Sequence, residues 1–226
     1  SFLFLLYGAL SLRTKRFYFV RHGQTLLNAR MIRQGPEGEL SETGKKQAEA
    51  AGKYLTPLHI QRIIASPYER TRETADIINS HLHVHLSYSP LLVERKNPSE
   101  VIGRKADDAL VRMITDKVDL SYHTDDYRYS DEENFLDLKA RSKACLSFLS
   151  GRFGTRFCVV THSFFLKALV GYLLYRDDLH AGDHVKLSFF NPASNGGITI
   201  CEYRPLMRFL SATKGWSVVA YNQDTQ

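Results

Sequence analysis

The triplet Arg21-His22-Gly23 closes an aromatic and β-branched run, 17–20, by setting a guanidinium beside an imidazole. The pairing recurs further along. Arg70 follows Ser66-Pro67 at the end of the run 62–65, and Thr161-His162 ends the apolar run 157–160. Guanidiniums present fork-shaped donors that match phosphate oxygens in pairs. A neutral imidazole is a nucleophile, and phosphorus is an electrophile it can attack. Two guanidiniums close by favour that neutral form, because like charge disfavours imidazolium. A helix starting at Ser163 would add free backbone N–H groups and its positive dipole end. Arg21, His22, Arg70, His162 and the Ser163 amide therefore point to the handling of one phosphoryl group.

Such residues, far apart in sequence, act together only if the fold gathers them. The runs 17–20, 62–65, 84–86 and 157–160 read as short buried strands. Helices alternate with them: one begins at Ser41, a plausible N-cap with a Glu42–Lys46 pair, and ends at Pro57; others span 68–80 and 163–174. Residues 98–153 read as mainly helical, broken by the polar stretch 119–134, and 197–203 and 216–221 as two edge strands. This alternation predicts an α/β fold, three-layer α/β/α with a mostly parallel central sheet. In such sheets ligands bind beyond the carboxyl ends of the strands, where Arg21-His22, Ser66 and Thr161-His162 all fall.

Composition agrees with one soluble domain. The chain has 226 residues, 43% hydrophobic and 24% charged. Its net charge of +6 favours anionic partners. The Lys and Arg residues are dispersed, with no basic–aromatic ladder, so a small anion suits the charge as well as nucleic acid does. Cys145, Cys158 and Cys201 show no metal-type spacing and read as core thiols in a reducing compartment. Residues 1–12, SFLFLLYGALSL, are apolar but too short to span a bilayer.

In order along the chain, FVRHGQT with Asn28, Ser66-x-x-x-Arg70-x-x-x-Thr74-Ala75, Leu92-x-Glu94 and Val160-Thr161-His162 resemble the histidine phosphatase superfamily, in its phosphoglycerate-mutase-like branch. The similarity runs from about Phe17 to Asn222. It implies a phosphoglycerate-mutase-like fold, with 1–16 as an apolar and basic extension, 17–226 as one catalytic domain and 96–135 as a helical and loop roof. It also implies that His22 becomes the phosphohistidine, that Arg21, Arg70 and His162 hold the phosphate, and that Asn28 touches it. Glu94 would be the general acid, a role that calls for a raised carboxyl pKa.

The expected activity is that of a phosphomonoesterase of the histidine acid phosphatase type, needing no cofactor and no metal. Its partner would be a small phosphorylated substrate, not nucleic acid or a membrane; the sequence sets no oligomeric state. A cytoplasmic location is expected, with export or membrane association the alternative if 1–12 belongs to a targeting segment. Two other readings stand beside hydrolysis: a mutase that returns the phosphoryl group to its substrate, and a non-catalytic phospho-ligand binder. The aromatic–Glu–Gly stretch usual after the acid in the family's mutases is replaced here by ERKNPSEVIGR, and Ser163-Phe164-Phe165 brings bulk where small residues are common. Glu100 is the rival acid. His81, His83 and His85 alternate and are expected on one solvated strand face, while His180, Asp183 and His184 are expected in a polar loop.

Overall fold

The computed structural model describes residues 13–120, 124–190 and 193–225. The apolar run 1–12 and part of the polar stretch 119–134 lie outside them. The strands are β1 (Lys15–Arg21), β2 (Arg62–Ala65), β3 (His85–Tyr88), β4 (Arg156–Thr161), β5 (Ile198–Tyr203) and β6 (Trp216–Gln223). They form a six-stranded sheet in the order β3-β2-β4-β1-β5-β6. β1, β4, β2 and β3 run parallel, whereas β5 is antiparallel to both β1 and β6. The sheet is thus mixed but mostly parallel, as expected.

Period-two alternation along the central strands divides the core into two layers. Phe17, Phe19, Phe157 and Val159 face one side, where they meet α5 (Phe135–Ser150) and α6 (Ser163–Tyr175). Tyr18, Val20, Cys158 and Val160 face the other, covered by α2 (Glu42–Leu55) and α3 (Glu69–Leu82). Three short or peripheral helices complete the set: α1 (Leu26–Ala29), α4 (Ala109–Leu120) and α7 (Ala181–Phe190). The aromatic residues of β1 do much of the packing; Phe17 stacks on Phe157 at 4.9 Å and tilts against Trp216 at 5.1 Å. Burying each such ring stabilises the fold by roughly 1.5–3 kcal/mol. α6 is apolar on nearly all sides because it lies between the sheet, α5 and α7. Among the described residues, no helix is long and apolar enough to cross a membrane.

Several boundaries differ from expectation for local reasons. β1 begins at Lys15, within the expected extension, because the buried Lys15 donates to the Ser150 and Arg152 carbonyls at 2.7 and 2.6 Å. Ser41 caps α2 as expected, but Glu42 pairs with Lys45 at 2.9 Å and not with Lys46. The alternating histidines do not share a strand. His81 belongs to α3, His83 ends that helix in the left-handed region (φ 51°), and only His85 lies in β3. β5 is an interior strand, leaving β6 at the edge. His184 is fully buried in α7, between Phe164 and Phe135, and is not part of a polar loop. Cys145, Cys158 and Cys201 are buried free thiols whose pKa values burial pushes up, to about 12 for Cys145 and Cys201.

Candidate active site

β1, β2 and β4 end side by side, so Arg21, Ser66 and His162 meet at one sheet edge. The chain leaves β1 in a sharp approach to α2. A Cβ on Gly23 would run into the Gly44 carbonyl, and one on Gly44 into Gln24, so both glycines are required by close backbone contact. Gly23 N–H donates to Thr74 Oγ1 at 3.1 Å, and Asn195 Nδ2 to the His22 carbonyl at 2.9 Å. These bonds hold the turn that carries His22.

His22 Nδ1–H donates to the Gly23 carbonyl at 2.7 Å, which fixes the tautomer and leaves Nε2 as a bare lone pair. Its ring lies 5.2 Å from that of His162, inclined at 62°. His162 Nδ1 accepts from Arg70 Nε at 3.2 Å, so its Nε2 carries the proton and donates to Ser66 Oγ at 2.9 Å. Both imidazoles are held well below the usual histidine range, by burial first and by the Arg70 and Arg21 guanidiniums after it. The neutrality expected from like charge is therefore mostly a consequence of desolvation. Burial also pulls Arg21 and Arg70 down from their ordinary values, though a guanidinium stays charged. Arg70 Nη1 is oriented by the Gly35 carbonyl at 2.8 Å, and Arg21 Nη1 by the Ala193 carbonyl.

Glu94 is seated by the N-terminus of α6. Its Oε1 accepts from the Phe165 and Arg95 amides, each at 2.9 Å, and its Oε2 from Phe164 N at 3.2 Å. Two of the first amides of α6, those of Phe164 and Phe165, thus hold the carboxyl group. Behind it, Arg141 forms a forked pair with Glu133 and donates to the Leu91 and Val93 carbonyls at 3.2 and 2.7 Å. The same guanidinium stacks 4.2 Å over the Phe165 ring. Arg141 therefore clamps both the strand of backbone leading into Glu94 and the residue whose amide binds it.

A cleft of about 380 Å³ opens here, with Arg21, His22, Asn28, Arg70 and Glu94 on its wall together with Arg33, Gln34 and Asn97. Asn28 Oδ1 accepts from Thr25 N at 3.3 Å, completing the capping box in which Thr25 caps α1, and this fixes the side chain at the wall. His162 and Ser163 are not among the lining residues; His162 backs Arg70 from within the core. Glu100 is exposed and bonded to Ser130 at 3.0 Å, away from the cleft. The mouth is closed on one side by a backbone clasp. Arg33 N bonds Arg104 O, Gly103 N bonds Arg33 O, both at 2.9 Å, and Ala106 N bonds Met31 O at 2.8 Å.

Sequence reasoning missed Tyr68, Arg141 and Arg33. Tyr68 lies edge-on to His162 at 5.2 Å, next to the quoted Ser66 and Arg70, and adjacency could have flagged it. Arg141 carries no local signal, since it reaches the site from α5, and Arg33 lies on the loop after Asn28, where no motif marks it. Of the basic residues following Glu94, Lys96 pairs with Asp131 at 2.8 Å, Arg104 with Asp108 at 3.4 Å, and Arg95 lies 4.2 Å over Phe164.

A mostly parallel sheet with paired Arg and His residues at its carboxyl edge defines a class of phosphoryl-handling protein. The comparisons agree. The model of the histidine phosphatase superfamily (branch 1) matches residues 17–213, so the chain belongs to that superfamily. A relative from Erwinia tasmaniensis, called Probable phosphoglycerate mutase GpmB, is 32% identical over 162 residues, covering 70% of this chain and 74% of that protein. Fructose-2,6-bisphosphatase TIGAR B of Danio rerio is 42% identical over 82 residues, 34% of this chain and 32% of its own. Among solved structures, one called Mycobacterial hydrolase 1 superposes with a TM-score of 0.74 at 22% identity, over 94% of this chain and 100% of that one. Mycobacterial glucosyl-3-phosphoglycerate phosphatase superposes with a TM-score of 0.72 at 22% identity, over 93% and 99%. These two show the shared fold.

Proposed function

We propose that the protein is a phosphomonoester hydrolase that forms a phosphohistidine on His22 and acts on a small phosphorylated metabolite. The observation that carries this reading is the His22 tautomer, with Nδ1–H tied to the Gly23 carbonyl beside two guanidiniums that share its cleft. The phosphate docks against Arg21, Arg70 and the Asn28 amide, with His162 keeping Arg70 in register. The Nε2 lone pair attacks phosphorus in line as the bond to the leaving oxygen breaks. Glu94 gives that oxygen its proton, and Oε2, held by a single amide, is the atom suited to carry it. Water then attacks the phosphohistidine, Glu94 takes its proton, and the N–P electron pair returns to Nε2.

Arg21 and Arg70 supply the positive charge this sequence needs without a metal. Incubation with chelators is therefore expected to leave turnover unchanged. In this reading residues 17–226 act as one catalytic unit roofed by 96–135, and Arg33 on the cleft wall favours a leaving group with a second anionic substituent. The buried thiols suit a reducing, cytoplasmic compartment. The test is a panel of phosphorylated metabolites with released phosphate measured, combined with acid quenching. Acid-labile, base-stable label is expected on His22; label on another residue, or none with turnover intact, would refute the mechanism.

A second reading is a mutase, favoured by the 32% identity to a protein called a phosphoglycerate mutase. Against it stands ERKNPSEVIGR, the stretch from Glu94 to Arg104. Interconversion of phosphoglycerates without phosphate release would decide for the mutase.

A further inference from the structure

The sheet edge opposite the crevice has its own chemistry. β5 ends there at Tyr203 and β6 begins there at Trp216, joined by a turn whose apolar side chains face water. Phe209 and Leu210, 86% and 79% exposed, are the most exposed large apolar side chains among the described residues, and Leu206 beside them is 64% exposed. The turn is well braced. Arg204 N donates to Gly215 O and Gly215 N to Ser211 Oγ, each at 2.8 Å, and Thr213 Oγ1 to Trp216 O at 2.6 Å. A braced turn that holds neighbouring large apolar residues outward marks an interaction site more than a frayed loop does.

The charge around it is mostly positive: Lys143, Arg176, Arg208 and Lys214 share a cleft with a single acid, Asp177, which pairs with Lys143 at 3.0 Å. The stretch 204–215 contains Arg204, Arg208 and Lys214 and no acidic residue. Arg13, Arg16 and Arg156 line an adjoining cleft at the same edge, where the single acid, Glu202, already pairs with both Arg16 and Arg204. Arg13, at this edge, is the residue that follows 1–12 in the sequence.

We propose that this edge docks the protein on an anionic lipid surface. Phe209, Leu210 and Leu206 enter the headgroup–acyl boundary while Arg204, Arg208 and Lys214 meet lipid phosphates. The charge decides among occupants. A second copy placed face to face would oppose arginines with arginines, and residues 1–12, which carry no ionisable side chain but Tyr7, would leave those arginines unanswered. Docking in this pose leaves the crevice, at the far ends of the parallel strands, open to water.

Co-sedimentation of the full chain with vesicles tests this. Binding is expected to phosphatidylcholine–phosphatidylserine vesicles over pure phosphatidylcholine, and to weaken as salt rises. Phe209→Asp with Leu210→Asp is expected to lower the bound fraction more than tenfold. Arg208→Gln should lower it about fivefold. Unchanged hydrolysis of a soluble aryl phosphate shows that each variant is folded. Equal binding to both vesicle types, undiminished binding by the variants, or a loss of self-association in place of lipid binding would each overturn the proposal.

Discussion

At His22 one backbone acceptor, the Gly23 carbonyl, selects which ring nitrogen is left bare, and Gly23 lacks a side chain because the Gly44 backbone lies against it. Gly23→Ala is expected to abolish activity and to lower thermal stability, since its methyl group meets the Gly44 carbonyl, which backbone contact holds in place. Gly44→Ala should behave alike, and a folded, active Gly23→Ala enzyme would contradict the packing described. Glu94 makes a different kind of statement. Glu94→Gln keeps an acceptor for the α6 amides but has no proton to give, so turnover should fall at least a hundredfold for alkyl phosphates and far less for nitrophenyl phosphate. Equal slowing of both substrates would remove Glu94 from the acid role.

Among the elements, those framed by strong local signals were legible in the sequence. Arg62–Ala65 is a β-branched run stopped by Ser-Pro, and Phe157–Val160 is apolar throughout, so both strands stood out. The alternation of His81, His83 and His85 misled because a helix end and a strand start can share a period over a few residues; the left-handed His83 is visible only in the backbone. Beside Asp183 and His180 in the sequence His184 reads as a loop residue, but α7 turns it toward Phe164 and into the core. The role of α6 was half legible: its N-terminus lies at the site, yet its amides hold Glu94. No local pattern could link Arg141 to Glu94, since the contact depends on α5 packing beneath the 91–93 segment. Arg141→Lys loses the fork to Glu133 and one or both carbonyl bonds. The expected result is a fall in kcat of about tenfold for poor leaving groups with KM little changed. A uniform loss across leaving groups would make Arg141 a purely structural brace.

At the scale of the molecule, three histidines among the described residues lie neutral in the interior. Burial pulls His184 down to about 3, with Arg95 and Lys167 adding to the effect, and His22 and His162 are displaced the same way. The unfolded chain takes up these protons first as pH falls below about 6.5. Each histidine therefore costs the folded state about 1.4 kcal/mol per pH unit below that point, until its own folded pKa is reached. Urea unfolding midpoints should drop between pH 6.5 and 4, and His184→Gln, which cannot take up a proton, should flatten that slope; an unchanged slope would mean His184 is protonated in the native state. Above pH 7 these groups contribute no pH dependence.

The clasp between Met31–Arg33 and Gly103–Ala106 couples two jobs that evolution would otherwise tune apart. The loop that begins there also presents Gly35 to Arg70, so whatever reshapes that wall of the cleft moves the Arg70 guanidinium as well. Exchanging 96–135 for the counterpart in a relative would transplant its substrate preference only if 30–39 travelled with it.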